Sequence, residues 1–254
     1  MKKSRTIEPS SLPCFRLRDI NIRGRGLPKI LLGILAGLIL VLSSAETEAR
    51  STPITIPTDI VSGDLIFLDL RCGICEAIET VTQIQYRQRF NIEIPRISHI
   101  GILSQNADGS FDVIESLPKK GVIRTPLVEF LTRVDKGENE RDGYRIGRFK
   151  EEYREAANTA AKNAVTWLGT GYDDTFRDLN RPYCSALVWQ LYKNGDSNAP
   201  LFDLLPMYFG EPGSTERKVW EDYCRNLGIE VPVGLPGISP GGVYGQAMRA
   251  GYFK

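Results

Sequence analysis

The segment RPYCSALVWQLYKNG, residues 181–195, is the part of the chain from which the rest is interpreted. After Cys184 its apolar residues recur at i, i+1, i+4 and i+5, which predicts an amphipathic helix ending at Asn194 and Gly195. Because Pro182 ends the preceding coil, we expect Cys184 in the first helical turn. Unpaired backbone N–H groups and the helix dipole favour a thiolate there. Cys184 is therefore a candidate nucleophile, the alternative being a small buried core residue.

The sequence contains one histidine, His99, in the β-branched run RISHIGILSQ. The turn at residues 106–109 returns the chain as FDVIESL, which predicts a hairpin. Side chains alternate along a strand, so Val113 and Glu115 face one way, and the pairing can bring Glu115 beside His99. A buried acid needs a partner, and an imidazole N–H can supply it. The alternative is a histidine with only a structural role.

Other segments show the patterns of regular elements. Short apolar or β-branched runs predict strands at residues 65–70, 96–105, 111–117, 121–125 and 144–149. Apolar residues at helical spacing predict helices at residues 75–87, 126–134, 151–168, 184–194 and 215–227, with a short amphipathic piece near the C-terminus. We assign Thr125 as the N-cap of the second helix and Pro126 as its first residue. Helices around a central antiparallel sheet predict an α+β fold.

A cysteine hydrolase uses a triad of cysteine, histidine and carboxylate, and the candidates for it here are Cys184, His99 and Glu115. Cys184 would attack a carbonyl, His99 would take up the thiol proton, and Glu115 would orient the ring. The Cys184 backbone N–H would stabilise the oxyanion.

Six motifs carry a resemblance to a known family. They are GDLIFLDLRCGICEAIETVT, ISHIGIL, VIES, TPLVEFLTR, YDDTF and YCSALVWQLY, and the resemblance as a whole extends over about residues 62–244. In this order they resemble the YiiX/YebB-like permuted papain-fold amidases, relatives of the NlpC-type cell-wall peptidases. The resemblance implies a permuted papain-like fold, with the order His99, Glu115, Cys184, and hydrolysis of an amide or peptide bond, with bacterial wall peptides as the substrate class. Ala186 departs from the acidic residue that often follows Cys-Ser in this group.

Three further residues are candidates for substrate binding or for the oxyanion site. Tyr172 and Asp173 lie on the loop that leads to the nucleophile, and Tyr183 is adjacent to Cys184. The alternative for the loop residues is simple solvation.

The pair Cys72 and Cys75 forms a C-x-x-C motif at a predicted helix start. We favour a structural role, as a local disulfide or two buried thiols. A thiol–disulfide site and half of a zinc site are the alternatives, although further zinc ligands are scarce. The resemblance includes this pair without making it catalytic, and Cys224 is most simply buried. No metal or other cofactor is implied.

Composition and the leader define the domains. A chain of 254 residues with 42% hydrophobic residues and a net charge of +1 does not indicate disorder or a nucleic-acid partner. Residues 1–49 combine a basic region with the apolar run ILLGILAGLILVL, which predicts a secretory signal or an uncleaved membrane anchor. Residues 50–60 form a linker, and residues 61–254 form the hydrolase domain.

The sequence therefore predicts an exported, periplasmic or extracellular cysteine amidase or peptidase that acts on a peptide or amide substrate, with peptidoglycan-derived peptides as the class that the resemblance implies. A membrane would be contacted only through an uncleaved leader. The alternatives are a lipid acyltransferase or thioesterase on the same fold, a catalytically silent wall-binding module, and a redox protein that uses the C-x-x-C pair.

Overall fold

The computed structural model describes Ile56 and residues 58–134, 143–193 and 201–254, which all belong to the unit Ile54–Lys254. The predicted leader, most of the predicted linker, the charged loop at residues 135–142 and the predicted helix end at residues 194–195 lie outside these residues. Within the described ranges, no helix has both the length and the apolar character needed to cross a membrane.

Five strands in the described part of the chain form one antiparallel sheet with the order β4-β3-β2-β1-β5. The strands are β1 (Leu65–Leu68), β2 (His99–Gln105), β3 (Phe111–Leu117), β4 (Gly121–Pro126) and β5 (Tyr144–Gly147). A short second sheet pairs β6 (Leu205–Pro206) with β7 (Pro236–Gly237).

Helices cover the sheet, which confirms the predicted α+β class. They are α1 (Gly73–Phe90), α2 (Leu127–Leu131), α3 (Arg154–Ala164), α4 (Cys184–Lys193), α5 (Thr215–Asn226) and α6 (Pro240–Ala250). The strand pattern creates two apolar faces because alternate side chains point to opposite sides. One face, with Phe67 and Ile102, packs against α3, α4 and α6, and the other, with Leu103 and Val113, packs against α2. Each buried aliphatic side chain contributes roughly 1.5–3 kcal/mol.

A third apolar cluster joins α1 to α5. Ala77 and Val81 of α1 lie against Phe209 and Trp220, and all four are buried. This cluster places an apolar wall beside the N-terminus of α4, as described below.

Two predictions about helices were wrong in detail. Strand β4 continues through Thr125, and α2 begins at Leu127 with Pro126 as its N-cap and no side-chain capping bond. Thr125 cannot cap this helix because its hydroxyl donates to Glu115 Oε1 at 2.6 Å across the sheet. The predicted helix at residues 151–168 is an α-helix only over α3, between short 3-10 turns at Glu151–Tyr153 and Val165–Trp167.

Candidate active site

Cys184 is the first residue of α4, as the sequence predicts. Its side chain is partly exposed, whereas Ser185 behind it is fully buried. The chain is fixed on both sides of the thiol. Ser116 Oγ donates to Pro182 O at 2.5 Å, and Ser185 Oγ donates to Ile238 O at 2.7 Å. These bonds hold the backbone on both sides of Cys184 in place, and the residue remains partly exposed.

His99 is the first residue of β2, and its ring is buried. The register pairs Ile102 with Ile114, so one step further Gly101 faces Glu115, and His99 is the diagonal neighbour of Glu115 on the same side of the sheet. Imidazole Nε2 lies 2.6 Å from Glu115 Oε2. A Cβ at Gly101 would lie only 2.2 Å from Val113 Cγ1 and 3.5 Å from Glu115 Cβ. Because Gly101 has no side chain, the side chains of His99 and Glu115 have room to meet beside it.

The imidazole interacts with both Cys184 and Glu115. Burial by itself lowers the pKa of His99, but hydrogen bonds and charge from Cys184 and Glu115 outweigh it and raise the pKa to about 9. Because Nε2 faces Glu115, Nδ1 is the ring nitrogen left for the thiol. The ring thus stands between a sulfur and a carboxylate.

Glu115 is held by two groups in addition to His99. The Thr125 hydroxyl and Arg133 Nη2 donate to its Oε1 at 2.6 and 2.7 Å. Burial raises the pKa of Glu115, but the bonds and charges of His99 and Arg133 prevail and lower it to about 2. Arg133 also stacks on Phe130, with Cζ 4.5 Å from the ring centroid, and Phe130 lies 5.8 Å from the His99 ring.

No sequence pattern placed Thr125 or Arg133 at this site. One signal was present: a fully buried carboxylate has more lone pairs than one imidazole can satisfy, so further donors were required.

An apolar cavity of about 90 Å³ opens beside Cys184. None of the residues that line it carries a formal charge, and its walls include Ile78 and Val81 of α1, Met207 and Trp220. The polar groups at its surface are hydroxyls, amides and the thiol, including Tyr172, Tyr183, Ser239 and Gln246. The cavity therefore suits an apolar group next to the reacting bond.

The three predicted binding residues differ in their placement. Tyr172 and Tyr183 line the cavity beside Cys184. Burial, followed by the charge of Cys184, raises the pKa of Tyr172 well above its usual value, which keeps its hydroxyl available as a donor. The Tyr183 hydroxyl accepts from Ile238 N at 3.1 Å.

Asp173 does not line the cavity. Its carboxylate accepts backbone N–H groups of its own loop, from Thr175, Arg177 and Asp178 at 2.6–2.9 Å. These bonds lower its pKa against the effect of burial. Asp173 therefore stabilises the conformation of the loop that carries Tyr172.

Cys72 and Cys75 are joined by a disulfide, and Cys224 is buried. Across the residues that the structure describes, no three His, Cys, Asp or Glu side chains cluster so that they could hold a metal ion.

A thiol at a helix N-terminus, an imidazole on the adjacent sheet and a carboxylate behind the ring have the arrangement expected of a papain-like cysteine hydrolase, here in the permuted order His, Glu, Cys. The chain belongs to the family described as permuted papain-like amidase enzyme, YaeF/YiiX, C92 family, whose model matches residues 59–230. This confirms the resemblance drawn from the motifs.

Two Escherichia coli proteins are similar to the chain. One, from strain K12, is named "Uncharacterized protein YiiX" and is 27% identical over 184 residues, which cover 69% of this chain and 79% of that protein. The crystal structure of a protein titled metalloprotein yiiX, from strain O157:H7, superposes with a TM-score of 0.55 at 24% identity, covering 72% of this chain and 91% of that one. The second likeness supports the fold alone.

Proposed function

We propose that the chain is a cysteine hydrolase that cleaves an amide bond with Cys184, His99 and Glu115. The observation that carries this proposal is the position of the His99 ring, which interacts with the Cys184 thiol while its Nε2 lies 2.6 Å from Glu115. Removing any of the three would remove a group with a distinct task in acyl transfer.

In the proposed reaction, His99 Nδ1 holds the proton taken from the Cys184 thiol, as the raised pKa of the ring favours, and the Cys184 thiolate attacks the substrate carbonyl. Glu115 stabilises the resulting imidazolium, and the Arg133 and Thr125 donors keep Glu115 ionised. The imidazolium then gives its proton to the departing amine, leaving a thioester on Cys184. Water, deprotonated by His99, releases the acid and restores the thiol. The Cys184 N–H and the Tyr172 hydroxyl would stabilise the oxyanion in both steps.

We further propose that the substrate is a peptide of the bacterial cell wall and that the domain is exported. The family's amidase description supports the bond type, and the basic and apolar leader of residues 1–49 supports export. Cell fractionation tests the second point, because a cytoplasmic chain would contradict it.

A second candidate function is transfer or hydrolysis of a lipid acyl group, and a specific observation favours it. The cavity beside Cys184 has no charged lining residue, whereas wall peptides carry several carboxylates and an amine. An Ile78→Asp change would place a charge in this lining, and Thr80→Asp offers a matched control on the same helix outside it. If the substrate carries an acyl chain, Ile78→Asp raises the KM of long-chain substrates more than the KM of short-chain substrates. Thr80→Asp changes neither KM.

The test of the proposed function is product analysis of the purified chain with wall-derived peptides and with acylated amides or esters. A new amine terminus released from a wall-derived peptide supports the amidase, and a fatty acid released from an acylated substrate supports the second candidate. We expect Cys184→Ala and His99→Ala each to abolish turnover without loss of fold, because the members of a triad act as a unit. Full turnover by His99→Ala would contradict the mechanism, and no turnover of any substrate would favour a silent binding module.

A further inference from the structure

The Cys72–Cys75 disulfide lies at the start of α1, and neither cysteine lines the cavity beside Cys184. The two sulfurs differ in access. Cys72 is partly exposed, and the neighbouring Gly73 is exposed with open space where a side chain would be. Cys75 is buried, with 8% of its surface exposed. A thiol arriving from solvent would therefore reach Cys72 and not Cys75.

The position of Cys72 also suits a reactive thiolate after reduction. It is the N-cap of α1, and its Sγ accepts the Cys75 backbone N–H at 3.2 Å. An anion at this place is stabilised by that bond and by the positive end of the helix dipole.

A buried carboxyl group stands one turn beyond the inner cysteine. Cys75 and Glu79 are at i and i+4 of α1, so their Cβ atoms are about 5–6 Å apart on one face of the helix. Glu79 is 2% exposed, and neither of its carboxyl oxygens has an aligned hydrogen bond in the described residues. A carboxyl group buried this deeply is unusual unless it is paired, so the groups that face Glu79 decide how readily it holds a proton.

The groups that face Glu79 come from other elements. Arg96, before β2, places Nη2 2.8 Å from Oε2, and Ser98 and Asp69 are also near. Burial raises the pKa of Glu79, Ser98 and Arg96 lower it, Asp69 raises it, and the balance is about 7. Asp69, whose side chain is 28% exposed, offers the proton a path to solvent.

We propose that Cys72 and Cys75 form a thiol–disulfide exchange site for dithiol groups of a partner protein, with Glu79 as the group that relays the proton of Cys75. A thiolate of the partner attacks Cys72 Sγ, and the bond to Cys75 breaks. Cys75 leaves as a thiolate and takes the Glu79 proton. The second partner thiol loses its proton to solvent and attacks the partner sulfur of the mixed disulfide, and Glu79 regains a proton from solvent by way of Asp69. The partner leaves oxidised to a disulfide, and the chain retains two thiols, Cys72 taking its proton from solvent. The reverse sequence reduces a partner disulfide.

The experiment measures reduction of insulin disulfides by dithiothreitol near neutral pH, with the full chain as catalyst in a Cys184→Ala background, which removes the partly exposed free thiol of the described residues. We expect the chain to accelerate insulin reduction and Cys75→Ser to abolish the acceleration. Glu79→Gln should slow the catalysed rate about tenfold or more, since proton transfer is then lost. The matched control is Glu76→Gln, an exposed glutamate in the same first turns of α1, which should leave the rate unchanged.

Absence of acceleration by the chain with intact Cys72 and Cys75 would overturn the proposal whatever the variants do. Equal rates for Glu79→Gln and Glu76→Gln would remove the role of Glu79. Circular dichroism of each variant shows whether it is folded. If Glu79→Gln does not fold, the pH profile of the catalysed rate replaces it: an inflection near the pKa of Glu79 supports the relay, and a profile that follows only the dithiothreitol thiols contradicts it.

Discussion

His99 Nε2 and Glu115 Oε2 are 2.6 Å apart in the interior, although 16 positions separate the two residues in the chain. Only 7% of the His99 side chain and none of the Glu115 side chain is exposed. With little water to screen them, the charge of each strongly stabilises the charge of the other. The pair can thus hold an imidazolium, as the proposed reaction requires.

Replacing Glu115 with Gln should lower kcat on the order of 10²- to 10⁴-fold, because an amide can neither fix the same tautomer nor stabilise the imidazolium. Steady-state kinetics on the substrate identified by product analysis measures this. Asp112→Asn is the matched control on β3, since Asp112 pairs with Arg124 on the other side of the strand. A kcat for Glu115→Gln equal to that of the control would contradict the orienting role.

Arg133→Ala should destabilise the fold by about 1–3 kcal/mol, because it leaves a buried carboxylate with one donor fewer. The low pKa of Glu115, about 2 against an ordinary 4.5, contributes stability that is present above pH 4.5 and is lost as the pH falls toward 2. Loss of Arg133 raises this pKa, so acid unfolding should begin at a higher pH. Arg124→Ala, which removes a surface pair, should cost at most about 1 kcal/mol. Urea and acid titrations followed by circular dichroism distinguish the two variants, and equal curves would show that Arg133 does not support Glu115.

The stability of the domain should fall between neutral and alkaline pH. His99 has a folded pKa of about 9 against an ordinary 6.5, so its contribution is fully present below pH 6.5 and is lost as the pH rises through 9. The difference corresponds to at most about 3 kcal/mol. Urea unfolding at pH 6 and above pH 9 measures it. The decline should be smaller in His99→Gln, and an identical decline in both proteins would show that His99 is not responsible.

The two cavity tyrosines should give different phenotypes. Tyr172→Phe should lower kcat about 100-fold with little change in KM, as expected when an oxyanion donor is lost. Tyr183→Phe removes the acceptor of the buried Ile238 N–H and should cost about 1–3 kcal/mol of stability with a smaller effect on kcat. Kinetics combined with thermal unfolding separates these outcomes, and a normal kcat for Tyr172→Phe would exclude it as the donor.

Local patterns predicted much of the fold. The apolar stripe placed Cys184 at the start of α4, and side-chain alternation correctly put Val113 on a different face from Ile114. The turn at residues 106–109 indicated the hairpin of β2 and β3, which carries His99 and Glu115. These features depend on neighbours in the chain, which a sequence displays directly.

The local sequence pattern gave the wrong prediction at Thr125. A threonine before a proline is a strong helix-start signal, but here the hydroxyl binds Glu115 on the adjacent strand, and the strand continues. Arg133 was missed for the same reason, since its partner lies 18 positions away. Long-range polar contacts compete with local signals, and only the packed sheet reveals which one prevails. The roles of Cys184, His99 and Glu115 remain predictions that activity must test.

The most direct measurement of the central claim is the rate at which iodoacetamide alkylates Cys184, followed by peptide mass spectrometry at slightly acid to neutral pH. If His99 activates the thiol, Cys184 reacts much faster in the wild-type chain than in His99→Ala, and far ahead of Cys224, whose pKa burial raises. Equal alkylation rates of Cys184 in the wild type and in a folded His99→Ala variant would contradict the account.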